Sequence, residues 1–278
     1  MIVLWWSGGI TSAVACKLAI DLYGVNNCKS FILDTMNEHS DTHRFKKDCE
    51  KWYGLEIASL KTDDYESIED VWYKHKSLNF ANGATCSYML KRRVREKWEK
   101  ENTFTHQVFG FEFDKKEFNR ANAMLLNHPH TKPIYPLLMF GYDKEKCVQV
   151  IQEAGIEVPI PYKWGLKNNN CLNTGCVQGG IGYWQKIKRE HPSLYEKMAK
   201  VEHELTELKG DPVTMLKDQS KAAKESGQTL VFLKKNPKYE SYKTLDDMKG
   251  REPEPLMECN GFCGVNDLTP PEPREELK

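Results

Sequence analysis

Residues 7–12, Ser-Gly-Gly-Ile-Thr-Ser, constrain this chain more than any other stretch. They follow Ile2, Val3, Leu4, Trp5 and Trp6, an apolar run of strand length rich in β-branched and aromatic residues. They precede residues 13–20, whose apolar positions continue with helical spacing. Strand, glycine turn and helix in that order build an anion site. Glycine lets backbone approach a charged ligand closely. The first helical turn leaves N–H groups unpaired, with a partial positive charge behind them. Ser7, Thr11 and Ser12 add hydroxyls at the same mouth, so phosphate is the natural guest. The competing reading is an ordinary strand-to-helix turn with capping hydroxyls. No Gly-Lys-Ser/Thr follows, so this is not a Walker loop.

The stretch resembles the PP-loop, the pyrophosphate-binding signature SGGxDS of the adenine-nucleotide α-hydrolase superfamily. Thr11 stands where that signature has aspartate. Variation at this position is similar to the sulfonucleotide-reductase branch. The resemblance makes Ser7, Gly8, Gly9, Thr11 and Ser12 the expected nucleotide-binding residues.

Downstream, strand-like and helix-like segments alternate. Residues 29–35 read as a strand ending in Asp34, residues 39–53 as a helix closed by Gly54, and residues 55–60 as a third strand. Residues 107–111 read as a fourth strand, followed by a helix over residues 115–126. Such alternation predicts an α/β fold with a doubly wound parallel sheet, whose ligands sit beyond the carboxyl ends of the strands. Ser7 and Asp34 then face one crevice. A carboxylate there is either a turn residue or a ligand for a ribose hydroxyl or for Mg2+ near phosphates.

Further blocks resemble the phosphoadenylylsulfate (PAPS) reductase family in order. Asp34-Thr35 with Glu38 and Thr42 looks like its second block, and Cys86 before Leu90-Lys91 and a basic helix looks like its third. Gly110 followed by Arg120-Ala121, then Pro136-Leu137, then Tyr162 and Gly165, continue the likeness over roughly residues 1–180. On this resemblance Asp34 and Lys91 are the expected catalytic residues and Arg120 a phosphate ligand. Arg93 and Arg95 read instead as a solvated helix face, because Glu96, Glu99 and Glu101 interleave with them. The arginine the family carries two residues after the strand-end glycine is Glu112 here, which weakens any inferred sulfonucleotide clamp.

Nine cysteines without a secretory leader point to a reducing cytoplasm. Cys171 and Cys176 form a C-x4-C pair in a loop rich in asparagine and glycine, and Cys259 and Cys263 a C-x3-C pair in a similar loop. Two such pairs are what a tetrathiolate centre needs, and zinc and a [4Fe–4S] cluster both suit four cysteines. Sulfur-handling relatives with iron–sulfur clusters tilt the expectation toward [4Fe–4S], with Zn2+ as the alternative. Cys16, Cys28, Cys49 and Cys147 fall in predicted elements and read as core. The chain lacks the adjacent cysteine pair of the reductases. It does not end in their Glu-Cys-Gly-Ile/Leu-His nucleophile tail, of which Glu258-Cys259-Asn260-Gly261 is a faint echo.

The 278 residues carry 40 Lys and Arg against 40 Asp and Glu, so net charge indicates no polyanion partner. No apolar stretch reaches membrane-spanning length. The expected organisation is a nucleotide-binding domain over 1–165, a C-terminal helical, cysteine-bearing lobe over 166–268, and a disordered tail over 269–278 rich in proline and glutamate. The leading functional expectation is an enzyme that binds ATP with Mg2+, cleaves it at the α-phosphate and adenylates a substrate for sulfur transfer. Its expected partners are a sulfur-donor protein or small thiol, a nucleic acid as a candidate acceptor, and a second copy in a homodimer. The second reading is a PAPS or APS reductase. The third is a nucleotide-sensing module without turnover.

Overall fold

The computed structural model describes residues 1–80, 83–169 and 171–256. Its centre is a parallel sheet of β1 (Ile2–Trp5), β2 (Cys28–Leu33), β3 (Ile57–Leu60), β4 (His106–Val108) and β5 (Pro133–Ile134), in the order β3-β2-β1-β4-β5. All four residues of β1 are buried, as a central strand with both faces covered requires. Alternation then sorts its side chains. Ile2 and Leu4, with Trp6 beyond the strand, join one core, and Val3 and Trp5 join the other.

The first of these cores is covered by α1 (Ile10–Tyr23), α2 (Ser40–Tyr53) and the helix Lys144–Glu153, through Val14, Phe45, Cys49, Cys147 and Ile151. The opposite core packs Phe31, Phe109, Phe111, Met124 and Trp98. Helices on both faces of a parallel sheet whose order reverses beside β1 make the doubly wound α/β arrangement expected from the alternation. Cys16, Cys28, Cys49 and Cys147 are buried in it, as read from their positions.

A third core holds the C-terminal region. Helices Ile181–Glu190 and Pro192–Lys209 pack with Leu166, Leu172, Val177 and Leu233, and the segment carrying Ile68, Trp72, Leu78 and Leu90 packs into the same core. Pro192 occupies the first turn of the second of these helices, where its missing N–H costs nothing. Residues 210–255 contain three short strands, Leu216–Lys217, Leu230–Phe232 and Lys243–Thr244, with the second in the middle. Glu202 fastens this sheet to the helices. Its fully buried carboxyl accepts from the amides of Met215 (2.8 Å) and Leu233 (2.7 Å).

One sequence expectation is overturned here. Arg93 is exposed, but Arg95 is 1 % exposed and pairs with Glu99 at 2.8 Å. Gln107 of β4 donates to the same carboxylate and accepts from the Trp5 indole. Arg95 and Glu99 thus form an internal network with Gln107 of the sheet, which helical spacing alone does not reveal. Among the described residues no helix is long and apolar enough to cross a membrane.

Candidate nucleotide and thiol site

The turn after β1 is built by Gly8, Gly9 and Ser12. Gly8 has φ +88°, a backbone conformation that side chains rarely adopt. Gly9 caps α1 without a side-chain bond, and no acidic residue occupies the first helical turn. Ser12 turns inward: its hydroxyl donates to the Gly9 carbonyl (2.9 Å) and accepts from the Ser7 amide and hydroxyl, both at 3.0 Å. Thr11 is buried beside it. From the neighbouring strand end, Gly110 presses against this turn so closely that a Cβ would lie 2.6 Å from Ser12 Cα and N. Glycine is therefore required for contact, not for φ.

The loop after β2 supplies the acids. Asp34 accepts from the Met36 amide at 2.8 Å, which closes a tight turn with Met36 at φ +58°. Burial raises the Asp34 carboxyl, with the neighbouring Glu38 acting in the same sense. Glu38 accepts from the Thr35 hydroxyl (2.7 Å) and from the amides of Thr35 (3.2 Å) and Asn37 (3.1 Å). Burial alone would raise the Glu38 carboxyl, but the Lys91 ammonium and the Thr35 donors overcome it and hold Glu38 below the ordinary range. Lys91 itself is only 9 % exposed.

A π turn over Tyr88–Arg92 carries Lys91, between helical segments Thr85–Ser87 and Arg93–Glu101. Its wider i→i+5 spacing lets residues five apart share a face. Cys86 and Lys91 consequently reach the same cavity.

The asparagine-rich loop closes the site from the C-terminal side. Asn169 donates to the Gly8 carbonyl (2.8 Å) and to Thr42 Oγ1 (3.0 Å). Asn173 donates to the Glu38 carbonyl (2.9 Å), and Asn37 donates to Thr174 Oγ1 (2.6 Å). Thr35 Oγ1 lies 3.4 Å from Cys171 Sγ. Gly175, at φ +71°, turns the chain over Trp184, where a Cβ would meet the indole at 2.7 Å. These amides are docking groups, a role invisible while the loop's partner is unknown.

The product is one cavity enclosing about 30 Å³. It joins Ser7 and Gly9 to Thr35, Glu38, Lys91 and Asn169, and to three thiols, Cys86, Cys171 and Cys176. The structure thus brings together Ser7, Gly9, Lys91, Cys171 and Cys176 of the expected set, and adds Glu38, Asn169 and Cys86. Gly8, Ser12 and Asp34 stand behind this lining and shape it. Arg120 is elsewhere: it is 1 % exposed, pairs with Glu117 at 3.2 Å and lies over the Phe111 ring at 4.4 Å. Glu112 lies 3.7 Å from Lys144. A larger cavity, about 450 Å³, adjoins across residues 171–173 and is lined by Trp164 between His39 and His191, with Lys197 at the rim.

Cys259 and Cys263 lie outside the described residues. Among the described residues no three His, Cys, Asp or Glu side chains are grouped to hold a metal ion. Cys171 and Cys176, the described half of the expected tetrathiolate set, line one cavity together with Cys86. Asp34 and Glu38 are neighbouring carboxylates beside the turn at residues 7–12, and burial favours the neutral form of the Asp34 carboxyl.

Comparison with known proteins gives the family. The profile of the phosphoadenosine phosphosulfate reductase domain matches residues 1–178. An uncharacterized protein of Methanocaldococcus jannaschii is 28 % identical over 213 residues, which is 74 % of this chain. The chain spans 42 % of that relative's length. A crystal structure of phosphoadenylyl-sulfate reductase from Candida auris in complex with phosphate matches with a TM-score of 0.46 at 16 % identity, covering 61 % of this chain and 80 % of that one.

Proposed function

The chain belongs to the phosphoadenosine phosphosulfate reductase domain family, and from that premise we propose that it binds ATP across the turn at residues 7–12, cleaves it at the α-phosphate and adenylates a substrate destined for sulfur transfer. The observation that carries this reading is the shared cavity, in which the phosphate turn and three thiols face one another.

The choice of ATP over a sulfonucleotide rests on charge. Lys91 is the only cationic side chain among the described lining residues, and it faces Glu38. Arg120 is engaged with Glu117, and Glu112 stands where an arginine clamp is expected. A site so poor in cations suits a nucleotide whose phosphates are neutralised by a bound metal ion. Asp34 with Glu38 would hold Mg2+, which when bound offsets charge on the phosphates. In the same reading the N–H groups of the first α1 turn hold the phosphates, and Lys91 stabilises charge on the departing pyrophosphate. The larger cavity beyond residues 171–173 is the acceptor's side.

The family match itself favours a second reading, reduction of a sulfonucleotide to sulfite. One experiment separates them. The protein is incubated without oxygen with ATP and Mg2+, and in parallel with PAPS and a dithiol. AMP and pyrophosphate from ATP support the first reading; sulfite from PAPS without pyrophosphate from ATP replaces it with the second. Nucleotide binding with no product in either reaction leaves a sensing module. Asp34→Asn should keep most of the ATP affinity while losing turnover, and unaltered pyrophosphate release would remove Asp34 from the mechanism.

A further inference from the structure

The cavity beyond residues 171–173 encloses about 450 Å³, the size of a pocket for a small organic molecule. Its lining is biased. Leu172, Ile187 and Leu194 give it an apolar floor, and His39, His191 and Ser193 supply polar side chains. No carboxylate is among its described lining residues. Lys197 brings a positive charge to the rim, where Glu69 pairs with it.

Both imidazoles have hydrogen-bonding capacity to spare. His39 Nδ1 accepts from the Asp41 amide (3.1 Å) at the start of α2, which leaves the ring proton on Nε2 as a donor. His191 precedes the helix Pro192–Lys209 without capping it through its side chain. Among the described residues its ring nitrogens meet no hydrogen-bond partner. The Trp164 indole stands between the two rings, its centroid 5.5 Å from that of His39 and 4.6 Å from that of His191. Rings held apart by a flat, rigid side chain lose little freedom when a ligand arrives.

Donors over an apolar floor, with no acid in the lining, select an anion that carries a hydrocarbon body. A cation would meet Lys197 and no lining counter-charge, whereas a carboxylate or phosphate oxygen accepts from N–H and O–H groups alike. We propose that this cavity binds a small organic oxyanion, a carboxylate or a phosphate ester. His39, His191 and Ser193 hold its charged group, and its body rests on Leu172, Ile187 and Leu194. The cavity shares a wall with the thiol-lined one, since Cys171 lines that cavity and Leu172 and Asn173 line this one. Calling the ligand the acceptor rests on the adenylation reading above; its binding does not.

The test titrates the full chain, without nucleotide, with phenyl phosphate, with benzoate, and with benzyl alcohol as the uncharged control. Proton–nitrogen spectra of the histidine side chains locate the ligand, the His39 and His191 signals being identified by their loss in His39→Asn and His191→Gln. Both signals should shift saturably with at least one anion, and that anion names the charged group. Benzyl alcohol should bind at least tenfold more weakly, about the worth of one hydrogen bond to a charged partner. Asparagine keeps an acceptor at the start of α2, and His191 caps nothing through its ring, so both variants should melt like the parent. Each should weaken the anion about tenfold by calorimetry. No saturable shift with either anion overturns the proposal. So does benzyl alcohol binding as tightly as the anions, or anion affinity that neither substitution changes. ATP affinity, measured by calorimetry on the parent chain, reports on the nucleotide reading separately.

Discussion

Replacing Gly110 by alanine should damage the phosphate turn from outside it. The residue follows β4 and touches the first turn of α1, with a Cβ landing 2.6 Å from both Cα and N of Ser12 and 3.0 Å from the Thr11 carbonyl carbon. Ordinary carbon contacts begin near 3.5 Å, so one element must move by roughly 0.9 Å. Neither partner is a flexible side chain. The atoms met are the backbone of α1, whose buried Ile10, Ala13 and Val14 fix it against the sheet. Overpacking of this kind costs about 1–3 kcal/mol, which lowers Tm by roughly 2–4 °C per kcal/mol for a protein of this size. The effect on binding is larger in kind, because Ser12 is the residue whose hydroxyl holds Ser7 and Gly9 in place. A displacement near 1 Å there misaligns the phosphate donors, and ATP affinity should fall at least tenfold, or about 1.4 kcal/mol. Calorimetry with ATP and a thermal melt read both quantities. Gly250→Ala is the control, since its Cβ meets nothing within 4 Å and its φ is not positive. Gly110→Ala with unaltered Tm and unaltered affinity would refute the reasoning.

Three further outcomes are expected. Gly9→Val should abolish adenine-nucleotide binding while unfolding remains cooperative, because Gly9 lines the cavity where backbone meets phosphate; unchanged calorimetric affinity counts against the phosphate-turn reading. Arg95→Met should cost about 3–5 kcal/mol in a denaturant titration, since it strands the Glu99 carboxylate inside the protein, and a loss under 1 kcal/mol would show the pair to be solvated. Burial pushes the Glu202 carboxyl up from 4.5 to about 8. The folded state therefore keeps a proton that the unfolded chain has released, so this contribution to stability is full below pH 4.5 and is lost as pH rises through about 8. Melts from pH 5 to 9 should show Tm falling with a slope that Glu202→Gln removes, and a slope unchanged in that variant would assign it to other groups.

The order of elements and the glycine turn at residues 7–12 were legible in the sequence because their causes are local. An apolar β-branched run, two glycines and a helical apolar period state a strand, a turn and a helix within twenty residues, and the C′ glycine at position 54 states where α2 stops. Doubly wound topology follows from repeating that unit. What tertiary structure decided is which side chains share a cavity, since that depends on contacts between residues far apart in the chain. Arg120 and Arg95 have the composition of surface or ligand arginines, yet packing buries each against a glutamate one helical turn away. Glu38 enters the cavity because Thr35 and Asn37 fold its loop back on itself, and Cys86 enters because a π turn changes the helical spacing before Lys91. Asn169 meets Gly8 across 161 positions. No periodicity spans that distance; only the closing of the C-terminal region onto the strand ends puts Cys171 and Cys176 beside the turn at residues 7–12.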